Sequence, residues 1–388
     1  MDFSLSLEQQ QIRESILKLC AQFDDGYWLA KDRAGEFPHE LHAALAGAGW
    51  LGIAMPAEHG GAGLGIAEAA IMMQAIAESG AAMTGASAVH MNIFGLQPVV
   101  VFGTDEQKRR MLPALIAGKD KACFAVTEPD AGLDTTALKV RAERRGDHYV
   151  LSGQKIWISA AQVANKVLIL ARTTPLAEVK RKTEGLTLFY TDIDRSRVAI
   201  RAIDKMGRHA VDSNEMFFDS MPVPAADRIG AEGDGFRVIL HGMNPERILI
   251  AAEAVGIGRA ALRKACGYAR ERVVFRRPIG QNQAIAHPLA QCWMSLEAAN
   301  LMAMKAATLY DRKEDCAVEA NAAKYLAGEA AFHACETAVM THGGMGYSKE
   351  FHVERYLREV MIPRIAPVTP HMILNFIAEK VLGLPKSY

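Results

Sequence analysis

The chain has no surplus of charge of either sign, since 44 lysines and arginines balance 44 aspartates and glutamates over 388 residues. No overall positive field draws it to nucleic acid or anionic lipid, and neither partner is expected. Cysteine is scarce and scattered: Cys20, Cys123, Cys266, Cys292, Cys316 and Cys335 contain no CxxC pair, which argues against a disulfide framework and a zinc site. The histidines lack HExxH or other metal spacing, so His287, His333, His342 and His371 are read as structural or solvent-facing and no metal is expected. The opening MDFSLSLEQQQIRESILKLC lacks the basic start, apolar centre and cleavage site of a secretory signal, and no apolar run reaches transmembrane length. A cytoplasmic location without membrane insertion is the expectation. No internal repeat is visible.

What the chain does have is bulk, with 50% hydrophobic residues and a length that suits two or three domains. From Leu7 to about Ala117 the apolar spacing is helical; Ile12, Ile16, Leu19 and Cys20 share a face. This predicts a helical domain over 1–120. The GGAGLG at 60–65 reads as a turn rather than a nucleotide loop, because Pro56 stands where a strand should be and Ile66 where the last glycine of GxGxxG is needed. Over 121–233 the texture changes to short β-rich runs, YVLSGQKIWIS, KVLILART, GLTLFYTDI and NEMFFDSMPVP, which predict a middle β domain. Over 234–388 long alanine-rich helical patterns return and suit a packed bundle. The fold class is thus mainly α with a central β domain.

Three stretches carry chemistry. FAVTEPDAGLDTTA, at 124–137, offers a hydroxyl, carboxylates and a glycine for a polar loop, although composition alone makes it a surface turn. In GQKIWIS, Trp157 and Ser159 point to one face of a strand, where an aromatic beside a hydroxyl suits a planar ligand or a half-buried core. In MNPERILIAAE, Asn244 suits an N-cap and Pro245 the first helical position, and Glu246 suits the positive end of the helix dipole.

AVTEPDAGLD followed by GQKIWIS resembles the flavin-binding β domain of the acyl-CoA dehydrogenases. RERVVFRRPIGQNQAIAHPLA at 270–290 is similar to that family's adenine-nucleotide segment, and THGGMGYSKEFHVERYLRE at 341–359 to its C-terminal signature. The resemblance implies the family's architecture of N-terminal helices, a barrel-like β domain and a C-terminal four-helix bundle. It also implies FAD, held by Phe124, Thr127, Gly132 and Leu133 of the first loop, with Trp157 beside the flavin ring and the Ser159 hydroxyl near N5. By the same likeness, Arg272, Phe275 and Gln283 meet the pyrophosphate and adenosine of a neighbouring subunit's FAD. Gly343 and Gly344 let the backbone approach the dinucleotide, and Thr369 also meets it. A homodimer or homotetramer follows, with an electron-transfer flavoprotein as acceptor.

The family's reaction removes the proton α to a thioester carbonyl and passes the β-hydrogen to the flavin as hydride, giving a trans-2-enoyl-CoA. Many members place the carboxylate base in a C-terminal Tyr-Glu-Gly-Thr stretch, whose counterpart here is Ala366, Pro367, Val368 and Thr369. Pro367 accepts no proton and has no N–H to polarise the carbonyl. A branch that includes isovaleryl-CoA dehydrogenase instead places the base at the head of a C-terminal-domain helix, and the matching residue is Glu246. Arg247 then holds geometry or charge balance near the substrate, or is simply a helix-start arginine paired with an acid. Leu133 stands where the loop usually has serine, Arg276 where a glycine follows the aromatic, and Met340 where glutamine or glutamate is usual. A flavin-dependent monooxygenase or oxidase of the same fold, or a scaffold without chemistry, are the alternatives.

Overall fold

The computed structural model describes residues 4–386. The first part is helical: α1 (Leu7–Cys20), α2 (Asp25–Ala34), α3 (His39–Gly47), α4 (Ile66–Ile76), α5 (Ala82–Phe94), α6 (Gln97–Phe102) and α7 (Asp105–Ile116). Local sequence sets the start of α1, where Ser6 Oγ accepts the Gln9 N–H and Gln9 Oε1 accepts the Ser6 N–H. Ile12, Ile16 and Cys20 then fall on its buried face. The glycine-rich stretch before α4 is a turn, and the open N–H groups of Ile66 and Ala67 donate to the carboxylate of Asp311 at 2.8 and 2.9 Å. Helix α4 is buried along its whole length, as befits a central helix. Between α4 and α5 the chain breaks at 77–81, with Gly80 at φ +111°, and the freed Gly80 carbonyl accepts from Arg355 Nη2 at 2.6 Å.

Eight strands follow: β1 (Ala122–Ala125), β2 (Arg141–Arg145), β3 (His148–Ser159), β4 (Lys166–Arg172), β5 (Leu186–Asp192), β6 (Val198–Ala202), β7 (Ser213–Pro224) and β8 (Arg228–Ile229). They form one sheet in the order β6-β7-β3-β2-β4-β5-β8, with β1 parallel to β4. Alternation along β4 explains how this sheet joins the helices. Val167, Ile169 and Ala171 enter a core with Tyr149, Leu151 and Phe218. Leu168 and Leu170 point the other way, into a core shared with Leu112 and Leu115 of α7.

The last part comprises α8 (Gly235–Leu240), α9 (Met243–Glu271), a two-residue-turn hairpin β9–β10 (Val273–Val274 and Arg277–Pro278), α10 (Gln283–Asp311), α11 (Ala317–His342), α12 (Val353–Glu359), α13 (Met361–Ile365) and α14 (Pro370–Lys380). Helix α9 lies at the centre, against α4, α10 and α11. Small residues set the distance: a Cβ on Gly256 would stand 2.4 Å from the Gln74 carbonyl of α4, and one on Gly258 would stand 2.6 Å from Leu296 of α10 and 3.2 Å from Ala331 Cα of α11.

Two helical stretches do reach the length and apolarity of a bilayer span, which corrects the sequence expectation: Ile66–Phe102, with 37 residues, and Val353–Lys380, with 28. Neither is one straight apolar rod. The first runs through α4, α5 and α6, breaks at Gly80, and its most apolar part is mostly buried inside the protein. The second is α12 to α14 in sequence, charged at its start and exposed afterwards at Ile365 and Leu374.

Candidate active site

A buried ion pair builds the wall on the β side. Lys155, on β3, has no exposed side-chain surface, and its Nζ lies 2.8 Å from Glu128 Oε1 while donating to the Val126 carbonyl at 2.8 Å. Burial brings the Lys155 ammonium down to about 8, against the pull of Glu128. The Glu128 carboxylate also accepts the N–H groups of Lys139 at 2.6 Å and Val140 at 3.0 Å. Both ends of the TEPDAGLD loop are thereby pinned. Next to the pair, the Thr127 carbonyl accepts the Ile156 N–H at 3.0 Å, which clamps the loop to β3.

β3 is irregular at this point. A register shift lies between Lys155 and Ile158, and Trp157 adopts φ +62° with 56% of its surface exposed. Ile158 is buried and Ser159 half-buried. The Ser159 hydroxyl accepts from Arg208 Nη2 at 3.0 Å, and Arg208 reaches Ser87 Oγ of α5 through Nη1 at 2.9 Å. Phe124, on β1, meets the edge of Phe94 of α5 with ring centres 5.4 Å apart. Phe124, through Phe94, and Ser159, through Arg208 and Ser87, are both linked to α5, while Trp157, Gly132 and Leu133 are exposed.

Glu246 occupies the first turn of α9, but the local reading of this turn needs correction. The helix begins at Met243 after Gly242, whose φ of −80° and ψ of −13° are already helical, and no side chain caps it. Helix α8 ends too close upstream for the chain to enter α9 in the extended conformation an N-cap takes. Asn244 instead lies inside the turn and accepts from Arg247 Nη1 at 3.1 Å. Arg247 thus serves local geometry in this structure, with its Nε buried and unpartnered.

The Glu246 side chain is unlike its neighbours. Its Oε2 is buried without a hydrogen-bond partner. Burial pushes the carboxyl up to about 7, while the positive charges of His90 and Arg247 pull it down and Glu253 pushes it up. His90 and Glu253 were not singled out in the sequence. His90, on α5, places Nδ1 2.5 Å from Glu253 Oε1, and Glu253 has no exposed side-chain surface. A signal existed: Glu253 follows Glu246 by two helical turns, on the same face of an otherwise apolar run. His90 carried no such mark.

Around the C-terminus, Lys324 is buried and its Nζ donates to the carbonyls of Val368 at 2.6 Å and Arg364 at 3.2 Å. This holds the 366–369 stretch in place. Thr369 spends its hydroxyl as the N-cap of α14, accepting the Met372 N–H at 3.4 Å. Elsewhere, Arg272, Gly343 and Gly344 line a cavity of about 420 Å³ with Tyr268 and His342, whose rings stack with centres 4.4 Å apart. A Cβ at Gly343, where φ is +58°, or at Gly344 would meet nothing of this chain. A bare backbone facing open space beside an arginine and a stacked pair of rings fits a dinucleotide. Phe275, 93% exposed at the tip of the β9–β10 hairpin, and exposed Gln283 do not line this cavity.

The acyl-CoA dehydrogenase N-terminal domain matches residues 6–119, the middle domain 123–221 and the C-terminal domain 233–382. The chain belongs to the acyl-CoA dehydrogenase family. It is 38% identical over 391 residues to the acyl-CoA dehydrogenase FadE12 of Mycobacterium tuberculosis, covering 100% of this chain and 99% of that one. Its structure is similar to butyryl-CoA dehydrogenase of Megasphaera elsdenii, with a TM-score of 0.91, 29% identity, and coverage of 98% of this chain and 100% of that one. It is also similar to the FAD complex of PigA, with a TM-score of 0.93, 27% identity, and coverage of 99% and 100%. An acyl-CoA dehydrogenase uses FAD as its cofactor, and the three-part architecture described above is that of the family.

Proposed function

We propose that this acyl-CoA dehydrogenase removes the α-proton of its substrate with Glu246 and yields the trans-2-enoyl-CoA. The observation that carries the reading is the buried Glu246 Oε2, which has no hydrogen-bond partner and belongs to a carboxyl pushed up to about 7 by burial. A base tuned near neutrality is ionised at working pH yet still accepts a proton readily. At the position that holds the base in many relatives, Pro367 offers no carboxylate.

The electron pair of the α-C–H bond becomes the new C=C bond as the proton moves to Glu246. Bound FAD supplies the acceptor for the β-hydrogen, which leaves as hydride. Around the flavin, the reading assigns Phe124, Thr127, Gly132 and Leu133 to the loop, Trp157 to the ring and Ser159 to the N5 region. Arg208, by donating to Ser159, would fix that hydroxyl's rotamer. The thioester carbonyl needs an N–H donor, and with none at Pro367 the amides of Val368 and Thr369 are the candidates, on a stretch held still by Lys324. Arg247 keeps the first turn of α9 in register.

Arg272, Phe275, Gln283, Gly343, Gly344 and Thr369 are assigned to the far half of a FAD. In support, Phe275 and Tyr347 are each at least 90% exposed in the isolated chain, so a homo-oligomer in which the hairpin reaches a neighbouring subunit gives these side chains a function. An electron-transfer flavoprotein is the acceptor implied by the family likeness, and the compartment is the cytoplasm.

The test is anaerobic titration of purified holo-protein with butyryl-, isovaleryl- and octanoyl-CoA, wild type beside Glu246→Gln. Bleaching of the oxidised flavin in the wild type, with FAD kept but bleaching lost in the variant, is the expected result. A variant that bleaches at the wild-type rate removes Glu246 from the role.

A further inference from the structure

Helices α5 and α9 bring three ionisable side chains into one buried patch, of which the proposed reaction uses only one. Glu246 and Glu253 lie on the same face of α9, about 10 Å apart along its axis. His90 enters from α5 and pairs with Glu253 at 2.5 Å, leaving only 14% of its side chain exposed. Oε2 of each glutamate is buried and unpartnered. Two carboxylates on one buried face repel, and burial drives Glu246 toward its protonated form. The neighbours of Glu253 on α9, Leu249, Ile250, Ala252 and Ala254, are buried and apolar. Replacing a buried ion pair by well-packed apolar residues is often neutral or stabilising, so stability alone does not call for a glutamate at 253.

The other charges around the patch are fixed elsewhere. Arg247 is tied to Asn244 and faces Lys324 of α11. Arg208, between β6 and β7, is held by Ser87, Ser159 and Ser213, and is balanced by Glu359 of α12, Glu253 and Asp212. Of the charged side chains acting on Glu246, His90 acts most strongly. Burial and Arg208 work against a charged His90 ring, but Glu253 and Glu246 together hold the imidazole above its ordinary value.

We propose that His90 and Glu253 are a positioning pair for the base: Glu253 holds the His90 ring at the buried face of α9 that also carries Glu246, and the charge on that ring supports Glu246 in taking the α-proton. This role rests on Glu246 being the base. Glu253 itself does not touch substrate; it acts through His90.

The test is an infrared pH titration of the carboxyl band of Glu246 in holo-protein, isolated as wild type minus Glu246→Gln, and repeated in His90→Gln and Glu253→Gln. In His90→Gln the ionisation midpoint of Glu246 is expected to rise by about one pH unit. The acid limb of flavin reduction by butyryl- or isovaleryl-CoA is expected to move the same way. Glu253→Gln strips His90 of its proton and also removes a negative neighbour, so its midpoint rises by less. A pair with a structural role alone would lower the melting temperature and leave the midpoint in place, and that result in both variants overturns the inference. If Glu246→Gln still reduces its flavin at the wild-type rate, the base assignment fails instead, and the infrared midpoints still decide whether His90 governs Glu246.

Discussion

Lys155 and Glu128 form a salt bridge 2.8 Å long in which the lysine has no exposed side-chain surface and the glutamate 5%. Glu128 spends its remaining capacity on two backbone N–H groups of the 139–140 segment, so the pair joins β3 to both ends of the loop assigned to the flavin.

Replacing Lys155 with methionine keeps the volume and leaves Glu128 charged, buried and short of its cation. The expected loss is about 3–5 kcal/mol, and the loop should loosen before the helices melt. Thermal unfolding and visible flavin absorbance read the two effects separately. A variant with wild-type stability and bound FAD would show that the pair is dispensable.

Glu246 also makes stability depend on pH. Its folded carboxyl titrates at about 7, above the ordinary 4.5, so the folded protein holds that proton more tightly than the unfolded chain. The favourable contribution is complete below about pH 4.5 and lost as pH rises through about 7. Glu246→Gln cannot ionise, so it should be more stable than wild type at pH 8, by about 3 kcal/mol, and close to it at pH 4.5. Denaturant unfolding at the two pH values checks this. An equal difference at both would mean that burial does not raise this carboxyl.

The glycine pair at 343–344 should matter to the cofactor and not to the fold. A Cβ at Gly344 has open space around it, and no positive φ forbids one. Gly344→Val is therefore expected to fold with a near wild-type melting temperature as apoprotein and to lose FAD on gel filtration. Retention of FAD would place the dinucleotide elsewhere.

The β9–β10 turn holds two side chains in the left-handed region, Phe275 at φ +50° and Arg276 at φ +65°. Such turns favour glycine at the second position. Arg276→Gly should relieve the strain and stabilise the protein by about 1 kcal/mol, read as a higher melting temperature. If FAD retention falls at the same time, the guanidinium was serving the ligand and the strain had a purpose.

The sequence reveals what is periodic or local and conceals what is long-range. The β-rich runs became β3, β4, β5 and β7 because alternation and β-branched residues act within one segment. The shorter β2, RAERR, is marked by neither, and β6, VAIRA, alternates over only five residues. Glu246 stands out because Pro367 is visibly wrong for a base, an inference that needs no geometry. The pairing of His90 with Glu253 joins residues 163 positions apart in the chain, and that of Lys155 with Glu128 crosses from a strand to a loop. Single-sequence periodicity contains neither. The start of α9 departs from its local signal for the opposite reason: Asn244 and Pro245 are good capping residues, but a helix immediately upstream leaves no extended residue for them to occupy.

With Gly256 pressed against the Gln74 carbonyl and Gly258 against α10 and α11, helix α9 can neither slide nor roll without collision. The carboxylate at its head is therefore a fixed landmark inside the enzyme. A lineage adapting to a new acyl group would have to move the walls and leave the post in place. Laboratory evolution toward a new acyl group should accordingly leave the buried face of α9 unaltered.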